Sequence, residues 1–166
     1  MKPTIYVETS VVSYLAARPS RDLVTAARQA LTLDWWEHAA ERWELAISTL
    51  VIEEAARGDP TAANYRLQAL RDLSLPPIGT KARDLTTSLV HSGIVPASEP
   101  EDALHVAIAT VSKTRYLVTW NFAHLAGPDA KQRLLDGLRT LGHNPHLLTT
   151  PEELLETDYE DAGSHT

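Results

Sequence analysis

Residues 99–126 (EPEDALHVAIATVSKTRYLVTWNFAHLA) constrain the fold more than any other part of this chain. The helix expected over Ser98–Ser112 is apolar almost all round: Ala103, Leu104, Val106, Ala107, Ile108 and Val111 leave it little face for solvent. Such a helix has to be covered by other elements. It nevertheless carries Asp102 near its start. A charge on a buried helix is costly unless something pairs with it, so Asp102 is expected to have a partner. A short strand, Tyr116–Thr119, follows and runs into Trp120-Asn121.

The rest of the chain repeats this alternation. Thr4–Val7 reads as a buried strand that ends at Glu8. Thr9-Ser10 offers an N-cap for a helix through Ala17, and Arg18-Pro19-Ser20 breaks it. A long helix spans about Arg21 to Arg42, with Ala26, Ala30, Leu33, Trp36, Ala40 and Trp43 as its expected core stripe. Leu31, Trp35 and Ala39 form an offset second stripe, either buried or a dimer surface. Leu45–Ser48 is the next strand, and Thr49–Arg57 is a helix stopped by Gly58-Asp59-Pro60. Thr61–Leu70 is a helix, Leu73–Ile78 an edge strand weakened by Pro76-Pro77, and Lys81–Ser92 a helix. Pro128–Leu141 is helical and His146–Thr149 is a last strand. Thr150-Pro151-Glu152-Glu153 opens a helix with a capping box. Short strands alternating with helices imply an α/β fold: a short parallel central sheet with helices on both faces, in three layers. One domain is expected over residues 1–155, followed by a disordered acidic tail, 156–166.

Composition narrows the function classes. With no cysteine, disulfide frameworks and thiolate metal sites are excluded, which fits a cytoplasmic protein. No segment approaches the roughly 20 apolar residues that span a bilayer, so no membrane partner is expected. A net charge of −7 argues against a general nucleic-acid coat protein. It leaves room for a nuclease whose metal is held by acids.

The acids are unequal. Glu54 shares the inward face of Leu50 and Val51, whereas Glu53 is spaced for a surface pair with Arg57. Ser98-x-x-Glu101 reads as a capping box, which gives Glu101 a structural task. His105 reads as a hydrogen-bonded core histidine, because no second histidine stands at zinc-ligand spacing. Glu8 and Asn121 follow strand ends, where ligands bind in α/β sheets. Glu8, Glu54, Asp102 and Asn121 together offer three carboxylates and an amide oxygen. Such hard donors suit Mg²⁺ or Mn²⁺, and the chemistry they best serve is phosphodiester hydrolysis. Thr9, Ser10 and Thr119 are candidates to hydrogen-bond the carboxylates.

On these residues the chain resembles PIN-domain proteins of the bacterial VapC-like toxin type. The likeness rests on Ile5-Tyr6-Val7-Glu8-Thr9-Ser10-Val11, on residues 48–58 with Glu54, on Asp102-Ala103-Leu104-His105-Val106-Ala107-Ile108-Ala109, and on residues 116–122. The resemblance implies a Mg²⁺- or Mn²⁺-dependent ribonuclease with RNA as substrate, frequent homodimers, and inhibition by a small antitoxin. Two positions depart from the family: Glu8 and Asn121 stand where aspartate and an acid are usual. The alternative is therefore a PIN-like binding module with a degraded metal site. A phosphatase on another α/β fold is a third reading, weakened because Ser10 stands where its second acid would be.

Overall fold

A computed structural model describes residues 1–163, with side chains described to residue 157. Within them, short strands β1 (Thr4–Val7), β2 (Glu44–Ala46), β3 (Tyr116–Val118) and β4 (Leu147–Thr149) form one all-parallel sheet in the order β2-β1-β3-β4. Ile5 on β1 is in register with Leu45 on one side and Tyr116 on the other. Ile5, Tyr6 and Val7 are fully buried although successive side chains point to opposite faces, so both faces of the sheet are covered. This is the expected three-layer α/β/α architecture.

The helices are α1 (Thr9–Ala16), α2 (Leu23–Arg42), α3 (Thr49–Ala55), α4 (Pro60–Ala69), α5 (Thr80–His91), α6 (Pro100–Val111), α7 (Pro128–Thr140) and α8 (Pro151–Gly163). A π-helical turn, Phe122–Ala126, lies between β3 and α7. Helix α6 is as buried as its composition requires, with Ala103 and all residues from His105 to Thr110 inside. Helix α5 packs along it. The chain leaves β1 toward β2 on one side and returns to β3 on the other. The carboxyl ends of β1 and β3 therefore form the switch point at which α/β sheets bind ligands.

Several local expectations change. On α2 the buried residues are Thr32, Trp35 and Ala39, while Ala30, Leu33 and Ala40 are exposed. Of the stripe expected to form the core, Trp43 is buried, Ala26 and Trp36 are half-buried and the other three face out, whereas Trp35 and Ala39 of the stripe offered as a dimer surface pack inward. Leu73–Ile78 is reduced to a single bridge between Ser74 and Ala46, because the following prolines cannot donate to a ladder. Helix α1 is capped by Glu8 rather than Thr9-Ser10. Helix α6 begins after Glu99 with no side-chain cap, so the Ser98–Glu101 capping box does not form. Glu101 instead accepts both ends of the Arg57 guanidinium at 3.1 and 2.8 Å, so Arg57 bridges to α6 and not to Glu53. The capping box of α8 does form: Glu153 N donates to Thr150 Oγ1, and Thr150 N donates to Glu153 Oε1, each at 3.2 Å. The stretch expected as a tail lies in α8 as far as Gly163, and residues 164–166 lie outside the described residues.

Candidate metal centre

Glu8 stands directly after β1 and its backbone N–H still donates to Val118 O of β3 (3.0 Å). This last sheet bond places the side chain between the two central strands. Its carboxylate is buried and accepts from Ser10 N (3.1 Å), Ser10 Oγ and Thr119 Oγ1 (2.8 Å). All three bonds fall on Oε2. Residues Ser10 and Thr119 thus hold the carboxylate as the sequence predicts, and Glu8 serves at once as a helix cap and a site acid.

Glu54 comes from α3, which starts at the Ser48 cap beyond β2. Its Oε1 accepts from Thr9 Oγ1 (2.7 Å) and from His105 Nε2 (2.5 Å). Burial pushes the Glu54 carboxyl up. The His105 hydrogen bond, the His105 charge and the Thr9 hydroxyl outweigh this and hold it below the usual carboxylate range. Being ionised, it only accepts, so His105 Nε2 carries the hydrogen. Behind His105, its Nδ1 lies 2.7 Å from the Tyr6 hydroxyl, which lies 2.8 Å from Ser48 Oγ. Burial lowers His105, but the Glu54 bond and the charges of Glu8, Glu54 and Asp102 win and leave it above the ordinary histidine value. His105 is the hydrogen-bonded core histidine expected, but Tyr6 as its support was missed. The available signal was a phenol in a strand buried on both faces, whose hydroxyl needs a partner.

Asp102 lies in the first turn of α6. Its Oδ1 receives Asn121 Nδ2 at 3.4 Å, while Oδ2 is buried with no hydrogen-bond partner. Burial, then the nearby charge of Glu8, raises the Asp102 carboxyl above its ordinary value. Asn121 is anchored from both ends. Its backbone N–H donates to Thr119 Oγ1 (2.9 Å), and its side-chain oxygen accepts from His124 N (3.1 Å) to cap the π-helical turn. Gly127 closes that turn, where a Cβ would run into the Phe122 carbonyl oxygen.

The four predicted residues thus converge on one end of the sheet, as two adjoining groups. Glu8, Glu54 and His105 offer ligand atoms within 4.8 Å of one another, and so do Glu99, Asp102 and His124. Glu99 and His124 were not singled out from sequence. The donor set fits a hard cation, since Asp102 Oδ2 lacks a partner and Glu8 and Glu54 take their bonds on one oxygen each.

The fold has a counterpart among solved structures. A chain in the crystal structure of VapBC2 from Rickettsia felis, bound to a DNA fragment from their promoter, superposes with a TM-score of 0.55 at 17% identity. The match covers 89% of this chain and 98% of that one. The fold is that of a VapC-like PIN domain. Likeness at this identity speaks for the PIN-like fold alone. No family model matches the chain, and no curated protein does either. Among the described residues, no helix is long and apolar enough to cross a membrane.

Proposed function

We propose that the chain is a Mg²⁺- or Mn²⁺-dependent endoribonuclease, the toxin of a toxin–antitoxin pair. The observation that carries this reading is the state of its acids. Carboxylates from three separate elements gather at the carboxyl end of the sheet in two groups, Glu8 with Glu54 and Asp102 with Glu99, and the buried Asp102 Oδ2 has no partner. Glu8, Glu54 and Asp102 are the ligands in this reading. Asn121 completes the set by holding Asp102, with its own oxygen already engaged at His124 N. When bound, the ion lowers the pKa of a water and offsets charge building on the phosphate. The chain's part is to hold these groups still: Ser10 and Thr119 fix Glu8, while Thr9 and His105 fix Glu54. Glu54, ionised and backed by His105, is the acid that orients the attacking water.

The same reading includes a small antitoxin, a homodimer and a cytoplasmic location. The dimer rests on the resemblance alone, because the stripe that prompted it packs into the core; solution mass by light scattering tests it. A second reading, a PIN-like binding module with a weakened site, is favoured by Asn121, whose oxygen caps a turn where the family usually has an acid.

The deciding experiment incubates purified protein with structured and single-stranded RNAs and Mn²⁺ or Mg²⁺, with EDTA and Asp102→Ala as controls. Cleavage that disappears in both controls is the expected result. Cleavage that survives Asp102→Ala sinks the assignment. Absence of both cleavage and a metal-induced thermal shift selects the binding module.

A further inference from the structure

A groove of about 370 Å³ is walled by Leu23, Val24, Leu31, Arg28, Trp120 and Phe122, with Glu152 also lining it. Three of its apolar side chains are open, Leu23 at 84% exposed, Val24 at 58% and Phe122 at 38%, while Trp120 is buried. Phe122 is the single phenylalanine of the chain and directly follows Asn121, the residue bonded to Asp102. The Arg28 guanidinium lies over its ring, 4.8 Å from the centroid, and 5.6 Å from that of Trp120. Trp120 is rigidly held. Its indole N–H donates to Thr32 Oγ1, and its backbone N–H donates to Ser10 Oγ, each at 2.8 Å. Ser10 is also the residue that anchors Glu8, so the aromatic wall and the site acids share one support.

We propose that this groove is a nucleobase subsite, in which a base next to the scissile bond stacks on Phe122 and the Arg28 guanidinium. The proposal rests on the ribonuclease reading and names its substrate class as RNA with an unstacked, single-stranded base at that position. The chemistry of the wall selects this occupant. An apolar, aromatic surface with one cation and one carboxylate, Glu152, suits a flat neutral ring better than a phosphate. Aromatic and guanidinium planes are the surfaces on which splayed bases stack, and each base contributes without regard to its sequence. A base inside a continuous duplex keeps its faces against its neighbours and has none to offer the groove.

The test is binding of a short single-stranded RNA carrying 2-aminopurine, whose fluorescence falls on stacking, with Ca²⁺ present to limit cleavage. Wild-type protein, Phe122→Leu and Phe122→Trp are compared, each checked for an unchanged melting curve. Quenching by wild type, a Kd weakened about tenfold in Phe122→Leu, and recovery in Phe122→Trp are expected. Equal binding by Phe122→Leu, no binding by wild type, equal affinity for the annealed duplex, or a loss that tryptophan does not repair each overturns the subsite. So does a Phe122→Leu variant whose one change is from dimer to monomer. The two readings fail separately. Cleavage with an unchanged KM in Phe122→Leu removes the subsite and leaves the nuclease. Stacking by a protein that shows neither cleavage nor a Mn²⁺-induced thermal shift removes the nuclease and leaves a base-binding groove.

Discussion

Two buried histidines meet opposite fates because of their neighbours. His105 sits in a chain of hydrogen bonds running from Ser48 through Tyr6 to Glu54 and Thr9. If His105 is neutral, Nδ1 accepts from Tyr6; if charged, it donates to Tyr6, which donates on to Ser48. Every member is satisfied in either case, which is the condition under which a buried polar network is tolerated. His146 has no such chain. Thr110 Oγ1 donates to Val106 O (2.7 Å), so it can only accept from His146 Nδ1 (3.2 Å), and Nε2 is left a buried acceptor without a partner. Burial alone pushes His146 down to about 4. The folded state therefore refuses a proton that the unfolded chain accepts near pH 6.5. The contribution of His146 to stability is complete above pH 6.5 and falls as the pH drops from there to about 4, by about 3 kcal/mol in all. Urea unfolding at pH 7.5 and pH 4.5 should show this loss in wild type and a smaller one in His146→Leu. Equal losses in the two proteins would assign the acid sensitivity to other groups.

At the scale of elements, α2 is the instructive case. Its sequence carries two apolar stripes offset around the helix, and helical period cannot say which one meets the sheet. Contact with the neighbouring elements decides. Trp35 and Ala39 are buried against the rest of the core, and Leu33 is half exposed. Trp35→Ala should therefore cost about 3–5 kcal/mol of unfolding free energy, and Leu33→Ala less than about 0.5 kcal/mol. The reverse ranking, in chemical denaturation, would mean that the helix is rotated. The α6 start makes a similar point. Glu101 is close enough to Ser98 for a capping box, yet Arg57, just beyond the end of α3 and 44 residues away, takes its carboxylate with both arms. By contrast, the α8 capping box forms as read: Lys131 approaches the other carboxylate oxygen of Glu153, Oε2, at 3.7 Å and leaves Oε1 to Thr150.

For the molecule as a whole, the candidate metal centre costs the fold stability. Burial and the Glu8 charge both disfavour ionised Asp102, so at neutral pH this acid weakens the metal-free fold. A cation that binds the native state alone must raise the melting temperature. At ten times its Kd the gain is about 1.4 kcal/mol, or roughly 3–5 °C for a chain of this size. On the metal-site reading, Mn²⁺ should produce this shift, EDTA should reverse it, and Asp102→Asn should melt higher than wild type without metal yet no longer respond to it. A calorimetric scan in which Asp102→Asn still responds to Mn²⁺ would move the ion elsewhere.

Much of this organisation was legible in the sequence. The all-apolar α6, the β-branched strand ends and the helix stops at Gly58 and Pro60 depend on local period and on the cost of burying charge. They suffice for a parallel α/β sheet with acids at its carboxyl end. The inward face of Glu54 and the outward face of Glu53 were legible for the same reason, as each keeps the face its helix spacing assigns. Tertiary structure alone decided which oxygen of each acid is occupied, that Asn121 turns its amide nitrogen to Asp102, and that Tyr6 stands behind His105 from 99 residues away. Those outcomes depend on which donors and acceptors from distant elements compete for the same atoms, and a one-dimensional pattern carries no record of that competition.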